Sequence, residues 1–161
     1  FEQDFDAYSK GNIAVQHLMI SDALAAADVL RKGKKVNSEN IVMIGESFGG
    51  RIALISTALD KRVKGAIAIS TAGFHIDGND DKLRFMKSLD PDNYIGEISP
   101  RKIVMVHNAY DRNVPFDSAL ITFKKAEEPK VFILINDTNC NHGFCHPMFR
   151  FINSSLADIT N

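Results

Sequence analysis

Short apolar segments rich in β-branched residues alternate with segments of helical periodicity along this chain. Four of them carry the strand pattern, at residues 40–44, 63–69, 102–106 and 131–135. This alternation is typical of βα units laid into a mostly parallel sheet. The first, third and fourth segments are almost continuously apolar, as expected of strands covered on both faces. The sequence therefore predicts an α/β fold with a mostly parallel sheet covered by helices on both faces.

Helical periodicity fills the intervals between these strands. Apolar residues recur at three- and four-residue steps from Ala14 to Val29, which predicts an amphipathic helix before the first strand. Residues 71–99 carry several turn signals and are interpreted as a short, lid-like insertion between the second and third strands. Further helices are predicted at residues 48–59, 81–89, 116–126 and 147–159.

The composition limits the partners of the chain. Its 19 basic and 20 acidic side chains give a formal net charge of −1, and no long basic run is present to bind nucleic acid. No apolar run reaches the roughly 20 residues that a membrane span needs. We therefore expect one domain over residues 1–161, with neither a nucleic-acid partner nor a membrane partner.

A Gly-x-Ser-x-Gly motif at residues 45–49 joins the first strand to the helix predicted at 48–59. In this setting Ser47 occupies a strained turn that exposes its hydroxyl group, and glycines on both sides are expected to avoid a clash. The amino terminus of the following helix favours negative charge at the same place. The competing interpretation is a glycine-rich turn used for packing or phosphate binding, but neither a P-loop nor a dinucleotide-binding spacing follows.

A serine nucleophile needs a base, and the base needs an acid to orient it. Asp111 follows the third predicted strand, and His142 follows the fourth. The carboxyl ends of parallel strands lie at one edge of a sheet, so Ser47, Asp111 and His142 are predicted to converge there although they are far apart in sequence.

Other residues compete for the same roles. His146 is the rival base, but His142 is preferred because it lies closer to the strand end and Gly143 follows it. Asp137 and Asp117 are the rival acids. They are interpreted as an ordinary loop residue and a carboxylate at a helix amino terminus, respectively.

A metal site is the second competing interpretation of the same loop. Cys140, His142, Cys145 and His146 have the composition of zinc ligands, but four ligands within seven residues do not easily close a tetrahedron. The cysteines are instead interpreted as buried small apolar residues that frame the loop, because a disulfide between them would close only a very small ring.

A few aromatic side chains and one more histidine complete the candidates. His107 ends the third predicted strand and is interpreted as a structural histidine. The core is the favoured interpretation for the phenylalanines, including Phe74, Phe85, Phe144 and Phe149. Phe74 and Phe85 lie in the irregular segment and have the better claim to a pocket wall.

These features together resemble the α/β-hydrolase superfamily. The order Ser47, Asp111, His142, with each residue after a successive strand, is that superfamily's order. Residues 111–115, Asp-Arg-Asn-Val-Pro, are similar to its acid loop, and residues 142–143, His-Gly, are similar to its histidine loop.

Three short segments resemble one branch of the superfamily, which holds dienelactone-hydrolase-like esterases and prolyl-oligopeptidase-like peptidases. They are Ser-Phe-Gly-Gly at 47–50, Leu-Asp-Pro at 89–91 and Ser-Pro-Arg at 99–101. Dienelactone hydrolases proper carry cysteine at the nucleophile elbow, the strained turn between strand and helix that holds the nucleophile. This chain has Ser47 there, which argues against their particular chemistry.

The resemblance implies a serine hydrolase mechanism. Ser47 would attack the substrate carbonyl, His142 would take and return the proton, and Asp111 would orient the imidazole. The backbone N–H of Phe48 would be one oxyanion-hole donor, and the second donor normally comes from a loop after the family's third strand. This chemistry requires no cofactor and no metal ion.

The resemblance also implies that the chain covers only part of the family fold. The superfamily core has eight strands and the elbow follows the fifth, so residues 1–161 would correspond to strands five to eight. Residues 1–11 would match the loop after the fourth strand. We expect the amino-terminal half as a separate, cleaved or missing segment, because without it the first strand would form a bare sheet edge.

The expected function is hydrolysis of small to medium carboxylic esters through a Ser47-His142-Asp111 triad and an acyl-enzyme. The expected ligand is a small-molecule ester, and the expected location is the cytoplasm. Two alternatives stay open, a serine peptidase of the prolyl-oligopeptidase type and a non-catalytic binding module that keeps the scaffold.

Overall fold

The computed structural model describes residues 1–161 as one α/β unit. The strands are β1 (Val42–Glu46), β2 (Gly65–Ile69), β3 (Lys102–Asn108) and β4 (Lys130–Ile135). The α-helices are α1 (Glu2–Ser9), α2 (Val15–Arg31), α3 (Phe48–Leu59), α4 (Asp81–Ser88), α5 (Phe116–Lys125) and α6 (Phe149–Thr160). Short 3₁₀ helices lie at Pro91–Asn93, Ile95–Ile98 and His146–Met148.

The four strands form one parallel sheet in the order β1-β2-β3-β4, which confirms the predicted fold class. Ile44 of β1 lies opposite Ile67 of β2, and Ile67 lies opposite Val104 of β3. The strands therefore run in close register, and their carboxyl ends meet at one edge of the sheet.

The two central strands and the two outer strands differ in burial. Every residue of β2 is buried, and so is every residue of β3 after Lys102. The outer strands are only partly covered, since Ile44 of β1 is 45% exposed and Leu134 of β4 is 46% exposed. The prediction of strands buried on both faces therefore holds for β3 and not for β1 or β4.

Helices pack on both faces of the sheet because successive strand residues point in opposite directions. On one face, Ala66 and Ala68 of β2 pack against Leu54 and Ala58 of α3. On the other face, Ile67 and Ile69 share a cluster with residues of α6 and of the segment before it. The alanines leave room for α3, which is the most buried helix of the molecule.

The amino-terminal segment corrects the expectation of a polar loop at residues 1–11, because residues 2–9 form α1. Phe5 and Tyr8 of this helix lie 5.7 and 5.0 Å from the ring of Phe85 in α4. The helix is therefore fixed by aromatic packing against a distant segment, which its mostly polar sequence does not reveal. Phe85 is fully buried in this cluster, so it is a core residue and its alternative role as a pocket wall is wrong.

None of the helices combines the length and the apolar composition that a bilayer crossing requires.

Candidate active site

Ser47 lies in a one-residue turn between β1, which ends at Glu46, and α3, which begins at Phe48. Its backbone has φ 53° and ψ −119°, a left-handed conformation that costs energy in a residue other than glycine. Two hydrogen bonds hold the turn: the Ser47 N–H donates to the Ile69 carbonyl at 2.8 Å, and Thr71 Oγ1 donates to the Ser47 carbonyl at 2.7 Å. Ile69 is the last residue of β2 and Thr71 follows it closely, so the turn is anchored to the central sheet.

The glycines around the elbow have unequal roles. A Cβ on Gly45 would collide with the backbone carbonyl of Gly49, and a Cβ on Gly50 would lie 2.8 Å from Cβ of Thr71. A Cβ on Gly49 would meet nothing within 4 Å. The expectation that both motif glycines avoid a clash is therefore correct for Gly45 and wrong for Gly49, with Gly50 taking the second sterically required position.

The structure brings the three predicted site residues into one hydrogen-bonded chain. His142 Nε2 lies 2.8 Å from Ser47 Oγ, and His142 Nδ1 lies 3.0 and 3.1 Å from the two carboxylate oxygens of Asp111. An ionised carboxylate only accepts hydrogen bonds, so Nδ1 carries the proton and Nε2 is free to accept from the serine hydroxyl.

Asp111 is held as an anion by its own loop. Burial opposes ionisation, but hydrogen bonds from the Val114 N–H, from His142 and from the Asn113 N–H outweigh it, so the pKa of Asp111 lies below its ordinary value. The two backbone N–H groups both donate to Oδ1 at 2.9 Å. This leaves the carboxylate charged and oriented toward the imidazole.

His107 packs behind this acid. Its ring is buried, its Nε2–H donates to the Val114 carbonyl at 2.9 Å, and burial lowers its pKa. His107 is thus a neutral ring that braces the Asp111 loop, in agreement with the interpretation as a structural histidine.

Long-range contacts fix the loop that carries His142. Asn108 of β3 donates from Nδ2 to the Cys140 carbonyl at 2.7 Å. Glu46 accepts the Phe144 N–H at 2.9 Å, and a Cβ on Gly143, whose φ is 86°, would collide with the Glu46 carboxylate. The sequence reasoning missed Asn108 and Glu46 because each acts on a loop about 30 or more residues away.

Cys140 and Cys145 are joined by a disulfide that encloses His142. This corrects the interpretation of the cysteines as separate buried apolar residues. Cys140 is nonetheless buried and packs in the cluster between the sheet and α6. The short spacing of the two cysteines had argued against a disulfide. The bond forms because residues 141–144 reverse the chain direction, which leaves the Cα atoms of the cysteines 5.8 Å apart.

The rival residues lie outside the hydrogen-bonded chain. His146 is exposed in the 3₁₀ helix before α6, and the hydrogen bonds to Ser47 and Asp111 come from His142 instead. Asp137 accepts the Asn139 N–H at 2.8 Å within its own loop, and Asp117 lies in the first turn of α5. Phe144 and Phe149 are 49% and 55% exposed, so the interpretation as core residues is wrong for both.

Phe48 is the first residue of α3, so its N–H has no carbonyl partner inside the helix. Its ring lines an open cleft of ≈ 510 Å³ beside the elbow. Phe74 lines the same cleft, as predicted for a pocket wall. The wall of this cleft therefore includes the residue directly after Ser47.

A family model described as acetyl xylan esterase (AXE1) matches residues 10–72, the part of the chain that contains the elbow. The uncharacterized protein YfhR of Escherichia coli O157:H7 is 29% identical over 128 residues, which are 74% of this chain and 44% of that protein. Its counterpart in Escherichia coli strain K12 is 28% identical over the same coverage. The chain thus spans less than half the length of these relatives.

Solved structures match a larger share of the chain. The α/β hydrolase GrgF from Penicillium sp. sh18 superposes with a TM-score of 0.71 at 18% identity, over 90% of this chain and 71% of GrgF. An acetyl xylan esterase from Paenibacillus sp. R4 gives a TM-score of 0.71 at 21% identity, over 84% of this chain and 51% of the esterase. A parallel sheet with a serine elbow and this structural likeness show that the chain has the α/β-hydrolase fold.

Proposed function

We propose that this chain carries the catalytic centre of a serine hydrolase that cleaves carboxylic esters. The observation that carries the proposal is the continuous hydrogen-bonded chain from Ser47 through His142 to the ionised Asp111. A hydroxyl group hydrogen-bonded to an imidazole, which is itself hydrogen-bonded to a carboxylate, is the arrangement that activates a serine for attack on a carbonyl.

In the first half-reaction Ser47 Oγ attacks the ester carbonyl carbon while His142 Nε2 takes the hydroxyl proton. The carbonyl oxygen becomes an oxyanion, which the Phe48 N–H at the start of α3 stabilises. The intermediate then collapses, the bond to the alcohol oxygen breaks, and His142 returns the proton to that oxygen. The products are a free alcohol and an acyl-enzyme on Ser47.

In the second half-reaction water attacks the acyl carbon and gives its proton to His142. The bond to Ser47 Oγ breaks, the proton returns to the serine, and a carboxylic acid leaves. Asp111 stays ionised throughout and stabilises the imidazolium that forms in each half-reaction.

Ester chemistry is favoured over the peptidase alternative by the comparisons. The acetyl xylan esterase model overlaps the elbow, and the superposed structures include an acetyl xylan esterase and Est1E of Butyrivibrio proteoclasticus, solved with ferulic acid bound. Acetyl and hydroxycinnamoyl esters are therefore the first substrates to test.

The active form proposed is the full-length protein, with an amino-terminal half that completes the sheet next to β1. The chain covers 44% of YfhR, and β1 is an edge strand of the sheet, with which a further strand would pair.

The test is labelling of the full-length protein with a fluorophosphonate, followed by intact-mass measurement and peptide mapping. We expect one phosphonate per chain on Ser47, and none in Ser47→Ala or His142→Ala. Ser154→Ala, which removes an exposed serine on α6, is the matched control and should label like the wild type. Labelling elsewhere, or none in the folded full-length protein, would overturn the proposal and favour a non-catalytic binding module.

A further inference from the structure

Arg51 differs from the other part-buried arginines of the molecule in having no polar partner. Arg31 pairs with the buried Asp60 at 2.8 Å, and Arg101 donates to backbone carbonyls, including that of Thr57. The Arg51 guanidinium forms neither a hydrogen bond nor an ion pair. Its guanidinium carbon instead lies over two aromatic rings, 4.6 Å from the ring centroid of Phe74 and 5.4 Å from that of Phe48.

Leaving this cation unpaired has an energetic cost. Arg51 is half-buried, and burial lowers its pKa, while the negative charge of Asp90 acts in the opposite direction. Asp90 directs Oδ1 to the backbone N–H groups of Phe74 and Asp92, at 3.1 Å each. The guanidinium N–H groups therefore remain accessible to solvent and free to donate to a bound anion.

The position of Arg51 links this cation to the proposed reaction. Arg51 lies one turn after the elbow, and its backbone N–H donates to the Ser47 carbonyl at 3.3 Å. Side chains on a helix lean toward its amino terminus, which here is the elbow itself. The cleft of ≈ 510 Å³ that Arg51 lines also includes Phe48, the residue with the candidate oxyanion donor.

The walls of the cleft restrict the chemistry of the ligand. Phe48, Phe74 and Met86 provide apolar surface, and Arg51 provides a planar pair of donors that matches the two oxygens of a carboxylate. A doubly charged phosphate is less suited, because the nearby Asp90 carboxyl would repel it.

We infer that Arg51 selects ester substrates that carry a carboxylate, with a short apolar spacer that packs on Phe48 and Phe74. This inference rests on the proposed ester hydrolase function and adds a substrate class to it. The carboxylate can belong to the acyl part or to the alcohol part of the ester, and the experiment separates the two.

The kinetic test uses the full-length protein and two pairs of esters. On the acyl side, mono(4-nitrophenyl) adipate is compared with 4-nitrophenyl hexanoate. On the alcohol side, 4-acetoxybenzoate is compared with its methyl ester. We expect kcat/KM for the charged member of one pair to exceed that of the neutral member by about 10- to 100-fold, the usual effect of a hydrogen-bonded charge pair. In Arg51→Met this ratio should fall to near one, and Arg51→Lys should keep part of it.

Arg150→Met is the matched control, because Arg150 also stacks on a ring, at 4.5 Å from Phe151, but lies on α6 at the opposite face of the sheet. It should leave the ratio unchanged. Equal kcat/KM within both pairs for the wild type, or a charge preference that survives in Arg51→Met, would overturn the inference.

A binding measurement separates this inference from the proposed function. Titration calorimetry with adipamate and with neutral adipamide needs no catalysis. We expect adipamate to bind at least about 10-fold more tightly, with the difference lost in Arg51→Met. Equal binding would overturn the carboxylate site even if esters are cleaved, whereas absent labelling of Ser47 with retained adipamate binding would overturn only the hydrolase.

Discussion

The elbow that carries Ser47 and the loop that carries His142 each position one partner of the same hydrogen bond, but different kinds of contact hold them in place. The elbow is built from consecutive residues, with β1 before it, α3 after it and Gly45 making room for the turn. The His142 loop has no regular structure from residue 136 to residue 145, and it is held by a disulfide and by contacts from Asn108 and Glu46.

The difference explains which site residues can be found by motif. A local turn has a local sequence signature, because its steric demands act between neighbours in the chain. A loop fixed by distant groups has a weak signature, because its partners vary in position. The reacting geometry nevertheless depends on both regions, since a misplacement of about 1 Å can cost 100-fold in rate.

The largest expected effect separates the two histidines near that loop. His142→Ala removes the proposed base, so we expect kcat/KM for 4-nitrophenyl acetate to fall by about 10⁴- to 10⁶-fold. His146→Ala should stay within about 2-fold, because His146 is exposed and outside the hydrogen-bonded chain. A large loss of activity in His146→Ala, together with an active His142→Ala, would show that His146 is the base and His142 is not.

Two glycine substitutions test whether the conformation of the elbow is set by steric contacts between residues that are close in sequence. Gly45→Ala forces a Cβ against the Gly49 carbonyl and should lower the free energy of unfolding by about 3 kcal/mol or more. Gly49→Ala fills open space on a helix and should raise it by up to about 1 kcal/mol. Urea unfolding of the full-length protein measures both, and similar values for the two variants would contradict the steric account.

Removal of the disulfide tests the His142 loop in the same way. The double variant Cys140→Ser/Cys145→Ser opens a six-residue ring and should lower the free energy of unfolding by about 2 kcal/mol. We expect kcat to fall by about 10-fold, because His142 is then less well oriented. Dithiothreitol should reproduce the kinetic loss in the wild type and leave the double variant unchanged; an unaffected wild type with the bond fully reduced would show that the other contacts hold the loop alone.

The smallest effect concerns the far end of α3, the helix that begins at the elbow. Burial raises the pKa of Asp60, but hydrogen bonds from Arg62 and Arg31 outweigh it and bring the pKa down to about 2. The folded pKa lies below the unfolded one, so this carboxylate stabilises the fold above about pH 4 and loses that contribution as the pH falls toward about 2.

Asp60→Asn should therefore lower the free energy of unfolding by about 1 to 2 kcal/mol at pH 7, and the loss should shrink as the pH falls below about 4. Asp22→Asn, which changes an exposed carboxylate on α2 with no ion pair, is the matched control and should have little effect at either pH. Chemical unfolding at several pH values provides the measurement. A loss that is independent of pH would rule out the carboxylate charge as its cause.

Individual residues show which features could be predicted from the sequence and which could not. Ser47, Asp111 and His142 could be named because each follows an apolar strand, and the parallel sheet brings strand ends together. Helix α1 could not be predicted, since its ring contacts are with Phe85, some 80 residues away. The lack of a polar partner for Arg51 was equally hidden, because it depends on neighbours distant in sequence, such as Asp90, whose Oδ1 accepts the backbone N–H groups of Phe74 and Asp92.

The sequence by itself determined the parallel α/β sheet, the elbow at Ser47 and the order of the site residues, because periodicity and turn chemistry act over short stretches of chain. Only the tertiary structure decided the remaining features: the disulfide around His142, the role of Glu46, the steric demand at Gly50 and the free guanidinium of Arg51. Each of these depends on the distance between groups that the fold brings together, and such distances are set by packing of the whole chain.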